Sequence, residues 1–296
     1  MTQTLWYNTT SIQELFLGSQ NENNNRLFVK REDQNHPFVS GNKWWKLKYN
    51  LLAALAEGQQ TLLTFGGAYS NHIFATAAAG KELGLKTIGV IRGEEVLPLN
   101  PTLAFAQECG MKLHFLSRTE YRNKTDNATI EKLRDTFGNF YLLPEGGTNA
   151  LAIKGCCDWG KKLLQSLEFD YLCLPVGTGG TLAGLIEAMP ESKTIIGFTV
   201  LKGAEFLEQR VRKMLTKPKN NWKLQHNYHF GGYAKQAESL SQLIEKMNAQ
   251  HALPLDRIYT GKMLFGVFDL LHKGFFKKDS RVLILHTGGL QNSQNV

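Results

Sequence analysis

A lysine in the stretch Ser40-Gly41-Asn42-Lys43-Trp44-Trp45-Lys46-Leu47 stands directly after a Gly-Asn pair and directly before an apolar-periodic run. Asn42 is placed to cap that run as a helix, which puts Lys43 in the first turn. A cation there opposes the helix dipole, which favours negative charge at an N-terminus. A lysine held against that preference suits discharge or covalent use. An amine forms a Schiff base only when deprotonated, so a site that depresses its pKa fits that chemistry. Alone, the stretch reads more readily as an ordinary surface lysine beside a cap. Later turns reverse that reading.

The most informative is Val176-Gly177-Thr178-Gly179-Gly180-Thr181-Leu182-Ala183-Gly184. It follows an apolar strand pattern and opens a helix. Converging backbone N–H groups, a helix N-terminus and two threonine hydroxyls make a cup for an anion such as a phosphate ester. No Gly-Lys-Ser/Thr ends it, so it is not a Walker A loop. Gly177-Thr178-Gly179 fits half of a dinucleotide fingerprint, but Leu182 occupies the third-glycine position. Gly66-Gly67-Ala68-Tyr69-Ser70-Asn71-His72 is a second donor-rich turn, where Ser70 and Asn71 can bind a carboxylate or phenolate oxygen. Tyr259-Thr260-Gly261-Lys262 and His286-Thr287-Gly288-Gly289 put hydroxyls at further strand-to-turn junctions. Each of these is also an ordinary turn when taken singly.

The elements that must position these turns alternate. Strand patterns cover 27–31, 60–65, 87–91, 111–116, 140–143, 171–175, 194–200 and 282–286. Helical patterns cover 43–57, 129–136, 149–167, 205–215, 239–248 and 261–272, with three more opened by the 66–72 turn and running through about 83, by Pro101 and running to Gly110, and by the 177–181 loop. Asn100-Pro101 is an N-cap followed by proline at the first helical position. Residues 1–25 read as a lead-in with little regular structure. The alternation predicts an α/β fold of open, mostly parallel twisted sheets flanked by helices. Ligands in such folds sit at the carboxyl ends of strands, where every distinctive turn here lies.

The chain has 296 residues, enough for one large or two medium domains, and 42% hydrophobic content marks it as globular. No apolar run reaches membrane-spanning length, and the N-terminus lacks a secretory pattern. Cys109, Cys156, Cys157 and Cys173 show no CxxC spacing, which fits reduced thiols in a cytoplasm better than disulfides or a zinc site; no metal is expected. The net charge is +8, but Lys and Arg are scattered, so a basic surface attracting anionic metabolites is expected and nucleic-acid binding is not.

Together, Lys30-Arg31-Glu32-Asp33, Gly41-Asn42-Lys43, Lys46-Leu47, the Gly66–His72 turn, Pro144-Glu145-Gly146-Gly147, the Gly177–Gly184 loop, Tyr259–Lys262 and His286–Gly289 resemble the 1-aminocyclopropane-1-carboxylate deaminase / D-cysteine desulfhydrase family. These are pyridoxal-phosphate enzymes of the tryptophan-synthase β type. The resemblance runs over residues 26–289. It implies that Lys43 carries the cofactor and moves protons, and that Gly177, Thr178, Gly179, Gly180 and Thr181 cup the cofactor phosphate. Asn71 matches the residue beside the phenolic oxygen. Ser70 matches the serine that meets the substrate carboxylate, with His72 next to it. Tyr259 matches a tyrosine facing the substrate, Tyr233 partly matches a second one, and Thr260 and Thr287 match hydroxyls near the pyridine nitrogen. The implied fold has two domains, residues 1–46 joined to 147–296 and an inserted 47–146, with the cofactor between them. A homodimer is expected.

Two departures bear on the substrate. The deaminases have glutamate at Thr260 and typically glutamine at His72; both differences resemble the desulfhydrases. A hydroxyl near the ring nitrogen leaves a weaker electron sink than a carboxylate, enough for β-elimination from D-cysteine, which has an α-proton and a good leaving group. The expected products are pyruvate, ammonia and sulfide. The alternatives are ring opening of the cyclopropane acid to 2-oxobutyrate, a low-turnover pyridoxal-phosphate-binding protein, and a nucleotide-binding oxidoreductase. The last leaves Lys43 and Ser70–His72 unexplained. Trp44-Trp45 is unusual for the family and reads as core packing rather than as a wall of the site. The tail from Leu290-Gln291-Asn292 also departs, since the family continues there with small and aromatic residues.

Overall fold

Parallel pairing dominates two sheets. The computed structural model describes residues 5–16, 23–233, 235 and 237–292. One sheet has six strands in the order β1 (Ile12–Leu15), β2 (Arg26–Lys30), β10 (Arg281–Leu285), β7 (Tyr171–Val176), β8 (Thr194–Thr199), β9 (Trp222–Gln225). Only β1 runs antiparallel to its neighbour. The other sheet has four parallel strands in the order β5 (Met111–Leu116), β4 (Lys86–Arg92), β3 (Thr61–Gly67), β6 (Tyr141–Leu143). The fold is the α/β class that the alternation predicts.

The inner strands β7, β8 and β10 of the larger sheet are buried on both faces, as a parallel sheet with helices on each side requires. On β7, Leu172, Leu174 and Val176 join one core while Tyr171 and Cys173 join the other. On β10, Leu283 and Leu285 face the first core, and Val282 and Ile284 the second. The first core receives α1 (Asn42–Ala56), α6 (Ala150–Ser166) and α7 (Gly180–Ala188); the second receives α9 (Glu238–His251) and α10 (Thr260–His272). The smaller sheet is flanked by α2 (Asn71–Leu83) and α3 (Pro101–Glu108) on one side and by α5 (Asn127–Phe137) on the other.

Trp44 and Trp45 belong to the core, as expected. Trp45 is fully buried, stacks on Trp159 with ring centroids 6.0 Å apart, and donates its indole N–H to Glu32 at 2.9 Å. Trp44 donates to the backbone carbonyl of Trp6.

Three elements were not expected: β1, β9 and α4 (Arg118–Arg122). Each is only four or five residues long, too short to show a period. Part of the expected lead-in, residues 1–4 and 17–22, lies outside the described residues.

Sheet order sets the site. Strand succession reverses between β3 and β6 in the smaller sheet and between β7 and β10 in the larger. A crevice opens at such switch points beyond the strands' carboxyl ends. All four of those ends contribute to one cavity.

Candidate active site

The cavity is lined by Asn42, Lys43 and Lys46 from α1, by Ser70, Asn71 and His72 after β3, and by Gly146 after β6. The larger sheet contributes Pro175 through Gly179, Thr181, Leu182, Tyr259 and Thr287. Of the residues singled out from sequence, Lys43, Ser70, Asn71, His72, Gly177, Thr178, Gly179, Thr181, Tyr259 and Thr287 come together here. Gly180, Thr260 and Tyr233 are not on the lining.

Asn42 does not cap α1. The N-cap is Gly41, at φ +66°, with no side-chain cap. A Cβ on Gly41 would lie 1.9 Å from the carbonyl oxygen of Thr287, so only glycine allows the chain before Lys43 to touch the chain after β10. The freed Asn42 side chain bridges the site: its amide donates to Thr181 Oγ1 at 2.9 Å, and its carbonyl accepts from Lys43 Nζ at 2.9 Å. Loss of solvent holds Lys43 down to about 8, partly offset by Cys156 and Asp256. A large share of its amine is therefore neutral near pH 8.

Lys46 lies one turn further along the same face and is the functional candidate that motif reading left without a role. It is 2% exposed, and its amine donates to the Gly146 carbonyl and to Thr148 Oγ1. Burial, then the neighbouring Lys43, bring it down to about 7. Thr148 Oγ1 is 2.6 Å from Thr178 Oγ1, so this amine and the 177–181 loop surround one volume. The sequence held a signal for it, since three-residue spacing puts Lys43 and Lys46 on one helix face.

Ser70 caps α2 and accepts from the backbone N–H groups of His72 and Ile73 at 3.2 and 3.3 Å. Its own O–H stays available as a donor. Asn71 Oδ1 accepts from Gln291 Nε2. His72 is buried, and burial lowers its pKa well below the ordinary value, with Lys46 and Lys43 adding to the effect. Its Nδ1 has no hydrogen-bond partner.

Tyr259 and Tyr233 meet edge to face with centroids 6.0 Å apart, so Tyr233 supports the lining tyrosine from behind. Burial raises the pKa of both; Tyr233 adds to the rise at Tyr259, whereas the hydrogen bond with Tyr259 offsets part of the rise at Tyr233. Both stay protonated at neutral pH.

Thr260 is fully buried at the start of α10. Its hydroxyl donates to Asp256 Oδ1 at 2.7 Å and accepts the Asp256 backbone N–H at 2.9 Å. Asp256 also accepts the N–H groups of Ile258, Tyr259 and Thr260. This knot fixes the backbone that carries Tyr259. Thr287 is set in turn by His286, whose Nε2 contacts the Pro254 carbonyl at 2.6 Å while its Nδ1 accepts from Gly288 N.

A reactive-range lysine facing a glycine-threonine anion loop, with a second buried amine beside that loop, has the donor set of a pyridoxal-phosphate enzyme. The chain belongs to that family: the profile described as "Pyridoxal-phosphate dependent enzyme" matches residues 4–288. Within it, the chain belongs to the group whose members are named for 1-aminocyclopropane-1-carboxylate deaminase and D-cysteine desulfhydrase. A Pyrococcus abyssi protein provisionally named 1-aminocyclopropane-1-carboxylate deaminase is 32% identical over 280 residues, spanning 89% of this chain and 84% of that one. An Arabidopsis thaliana protein named bifunctional D-cysteine desulfhydrase/1-aminocyclopropane-1-carboxylate deaminase is 27% identical, covering 90% of this chain and 73% of that one. A crystal structure of a deaminase homologue superposes with a TM-score of 0.85 at 29% identity over 98% of this chain and 91% of that one. The chain is thus an enzyme that uses pyridoxal phosphate. Among the described residues no helix is long and apolar enough to cross a membrane.

Proposed function

We propose that this enzyme deaminates a small amino acid by β-elimination, with D-cysteine as the substrate that fits best, giving pyruvate, ammonia and sulfide. The observation that carries this reading is the lining itself: among the described residues, no carboxylate lies on the cavity wall. When bound, pyridoxal phosphate supplies a sink for the electron pair left at the substrate's α-carbon. Without a carboxylate to keep its ring nitrogen protonated the sink is modest, which suits a substrate with a removable α-proton and a good leaving group.

In this reading Lys43 would hold the cofactor, and its free amine would take the substrate's α-proton. Its pKa of about 8 suits both tasks. Lys46 and the 177–181 loop hold the phosphate; a buried amine near pKa 7 gains its proton when an anion arrives. Asn71 would hold the phenolic oxygen and Thr287 the ring nitrogen, as the resemblance implies for these lining residues. The Ser70 hydroxyl donates to the substrate carboxylate. Thr260, its hydroxyl engaged by Asp256 in both directions, acts through the backbone of Tyr259 rather than on the ring. Its bearing on the substrate is that no glutamate stands there.

The second reading is ring opening of 1-aminocyclopropane-1-carboxylate, favoured by Tyr259 on the lining and by the relatives' names. That route is usually ascribed to a nucleophilic tyrosine, and the raised pKa of Tyr259 makes a phenolate costly. A low-turnover binding protein would be yellow and release no keto acid.

The proposed domains are residues 1–46 with 147–296 and residues 47–146. In support, β3 through β6 all fall inside the second span and the other strands outside it. A homodimer in the cytoplasm is proposed from the family resemblance and from cysteines that are all free. The deciding assay is keto-acid release from each substrate separately. Pyruvate with sulfide from D-cysteine is expected; 2-oxobutyrate from the cyclopropane acid alone would overturn the substrate assignment.

A further inference from the structure

We propose that Gln291 is a positioning residue that fixes which end of the Asn71 amide is offered to the cofactor. The proposal rests on the reading that Asn71 contacts the phenolic oxygen of pyridoxal phosphate.

An asparagine side chain has a donor end and an acceptor end of nearly the same shape. Against an anionic oxygen only the donor end is useful. Nothing in the backbone of Asn71, the first residue of α2, chooses between the two. Gln291 does. Its Nε2 donates to Asn71 Oδ1, so the acceptor end is taken and the NH2 group is left over. That NH2 has no acceptor among the described residues, and Asn71 lines the cavity. Gly289 closes the third side: a Cβ there would lie 2.0 Å from Asn71 Nδ2, so the amide is packed against bare glycine backbone and cannot swing in that direction.

The contact spans the cleft. Gln291 follows β10 of the six-stranded sheet, separated from it by the His286–Gly289 turn, whereas Asn71 follows β3 of the four-stranded sheet. The helical turn that carries Gln291, Leu290–Asn292, packs on α3 beside the smaller sheet. One hydrogen bond therefore joins the two sheets' site segments at a cavity-lining residue. It also gives a role to the tail segment that departs from the family pattern.

The test uses protein stripped of cofactor and titrated with pyridoxal phosphate, followed by fluorescence and by the pH dependence of the visible absorption. Gln291→Ala frees Asn71 and is expected to weaken binding about threefold to tenfold, the range for one lost hydrogen bond. Gln291→Glu is nearly isosteric but offers only acceptors, so it draws the Asn71 NH2 and turns the carbonyl toward the cofactor. It is expected to weaken binding more than the alanine change and to move the midpoint of the absorption titration. In an Asn71→Ala background Gln291→Glu is expected to add less than about a twofold effect, because coupled residues are not additive. The thermal midpoint without cofactor controls for folding. Should Gln291→Glu lower it, Gln291→Ala carries the test alone.

Wild-type affinity and pH titration in both Gln291 variants, with Asn71→Ala impaired, would overturn the positioning role. A full additional loss in the Asn71→Ala background would do the same. An unimpaired Asn71→Ala instead overturns the reading of Asn71, a separate failure visible in a single variant.

Discussion

His72 Nε2 lies 2.8 Å from Thr64 Oγ1, and that contact decides where the imidazole proton sits. The Thr64 hydroxyl has one proton and donates it to the Leu143 carbonyl at 3.0 Å. His72 must then donate from Nε2, leaving Nδ1 as a bare acceptor with no partner. The reverse arrangement would leave a buried N–H unpaired and take the proton from Leu143, two losses instead of one. A site residue adjacent in sequence to the proposed carboxylate-binding serine is therefore an acceptor. With that acceptor buried against Gly147 and no N–H left to offer, it cannot hold a carboxylate.

A stability signature follows from this neutral state. The folded His72 pKa lies well below the unfolded value, so its contribution is fully present above pH 6.5. It is lost as pH falls from 6.5 toward the folded pKa, because the unfolded chain takes up a proton that the folded chain refuses. The thermal midpoint of the wild type should fall more steeply between pH 7 and 5 than that of His72→Gln. Parallel slopes in the two proteins would show that His72 takes up its proton in the fold as readily as in the unfolded chain.

Lys43 sets a kinetic pH dependence. Only its neutral amine can attack the cofactor aldehyde, and its pKa is held at about 8. The rate at which stripped protein captures pyridoxal phosphate as a coloured species should climb roughly tenfold per pH unit below 8 and level off above it. Lys43→Ala should lose the visible band and about a hundredfold to ten-thousandfold in activity. An inflection near 10.5, or a variant with full activity, would sink the assignment.

Lys46 should discriminate phosphate. Replacing its amine by the Lys46→Met side chain removes a charged donor while keeping most of the volume. Affinity for pyridoxal phosphate should drop by about tenfold to a hundredfold, the range for hydrogen bonds to charged groups. Affinity for pyridoxal, which lacks the phosphate, should change by less than about threefold. Equal losses for both ligands would mean that Lys46 is only packing.

What the sequence made legible and what it hid differ by the range of the contacts involved. Glycine turns after apolar strands are local patterns, and those at Gly66–His72, Gly146, Gly177–Thr181 and Thr287 all reach the cavity wall; Tyr259 reaches it as well, but from a segment that no strand precedes. The direction a side chain takes is not local. Thr260 directly follows Tyr259, yet the tyrosine lines the cavity and the threonine turns to Asp256. Asn42 had the composition of a cap, but the tertiary approach of Gly41 to Thr287 displaced it. Gln291 meets Asn71 across 220 residues, a pairing with no local pattern. The short β9 alternates apolar and polar residues, but four residues are too few for that alternation to stand out as a strand.

Thr260 gives the sharpest separation between matching a motif and touching the ring. Its motif position corresponds to a hydroxyl near the pyridine nitrogen, whereas in the structure both hydrogen-bonding directions are used on Asp256. Thr260→Val keeps the shape but strips the partner from a buried carboxylate oxygen and a buried N–H, at a cost of about 1–3 kcal/mol in stability. Because the hydroxyl is off the cavity wall, the visible spectrum and the keto acid formed should stay those of the wild type. Thr287→Val removes the hydroxyl of a residue that does line the cavity. It should leave stability nearly unchanged and shift the spectrum of the bound cofactor. Thermal melts and absorption spectra of the two variants side by side give opposite patterns if the geometry holds. A shifted spectrum in Thr260→Val would return that hydroxyl to the ring nitrogen, and the sink argument would then run through Thr260 itself.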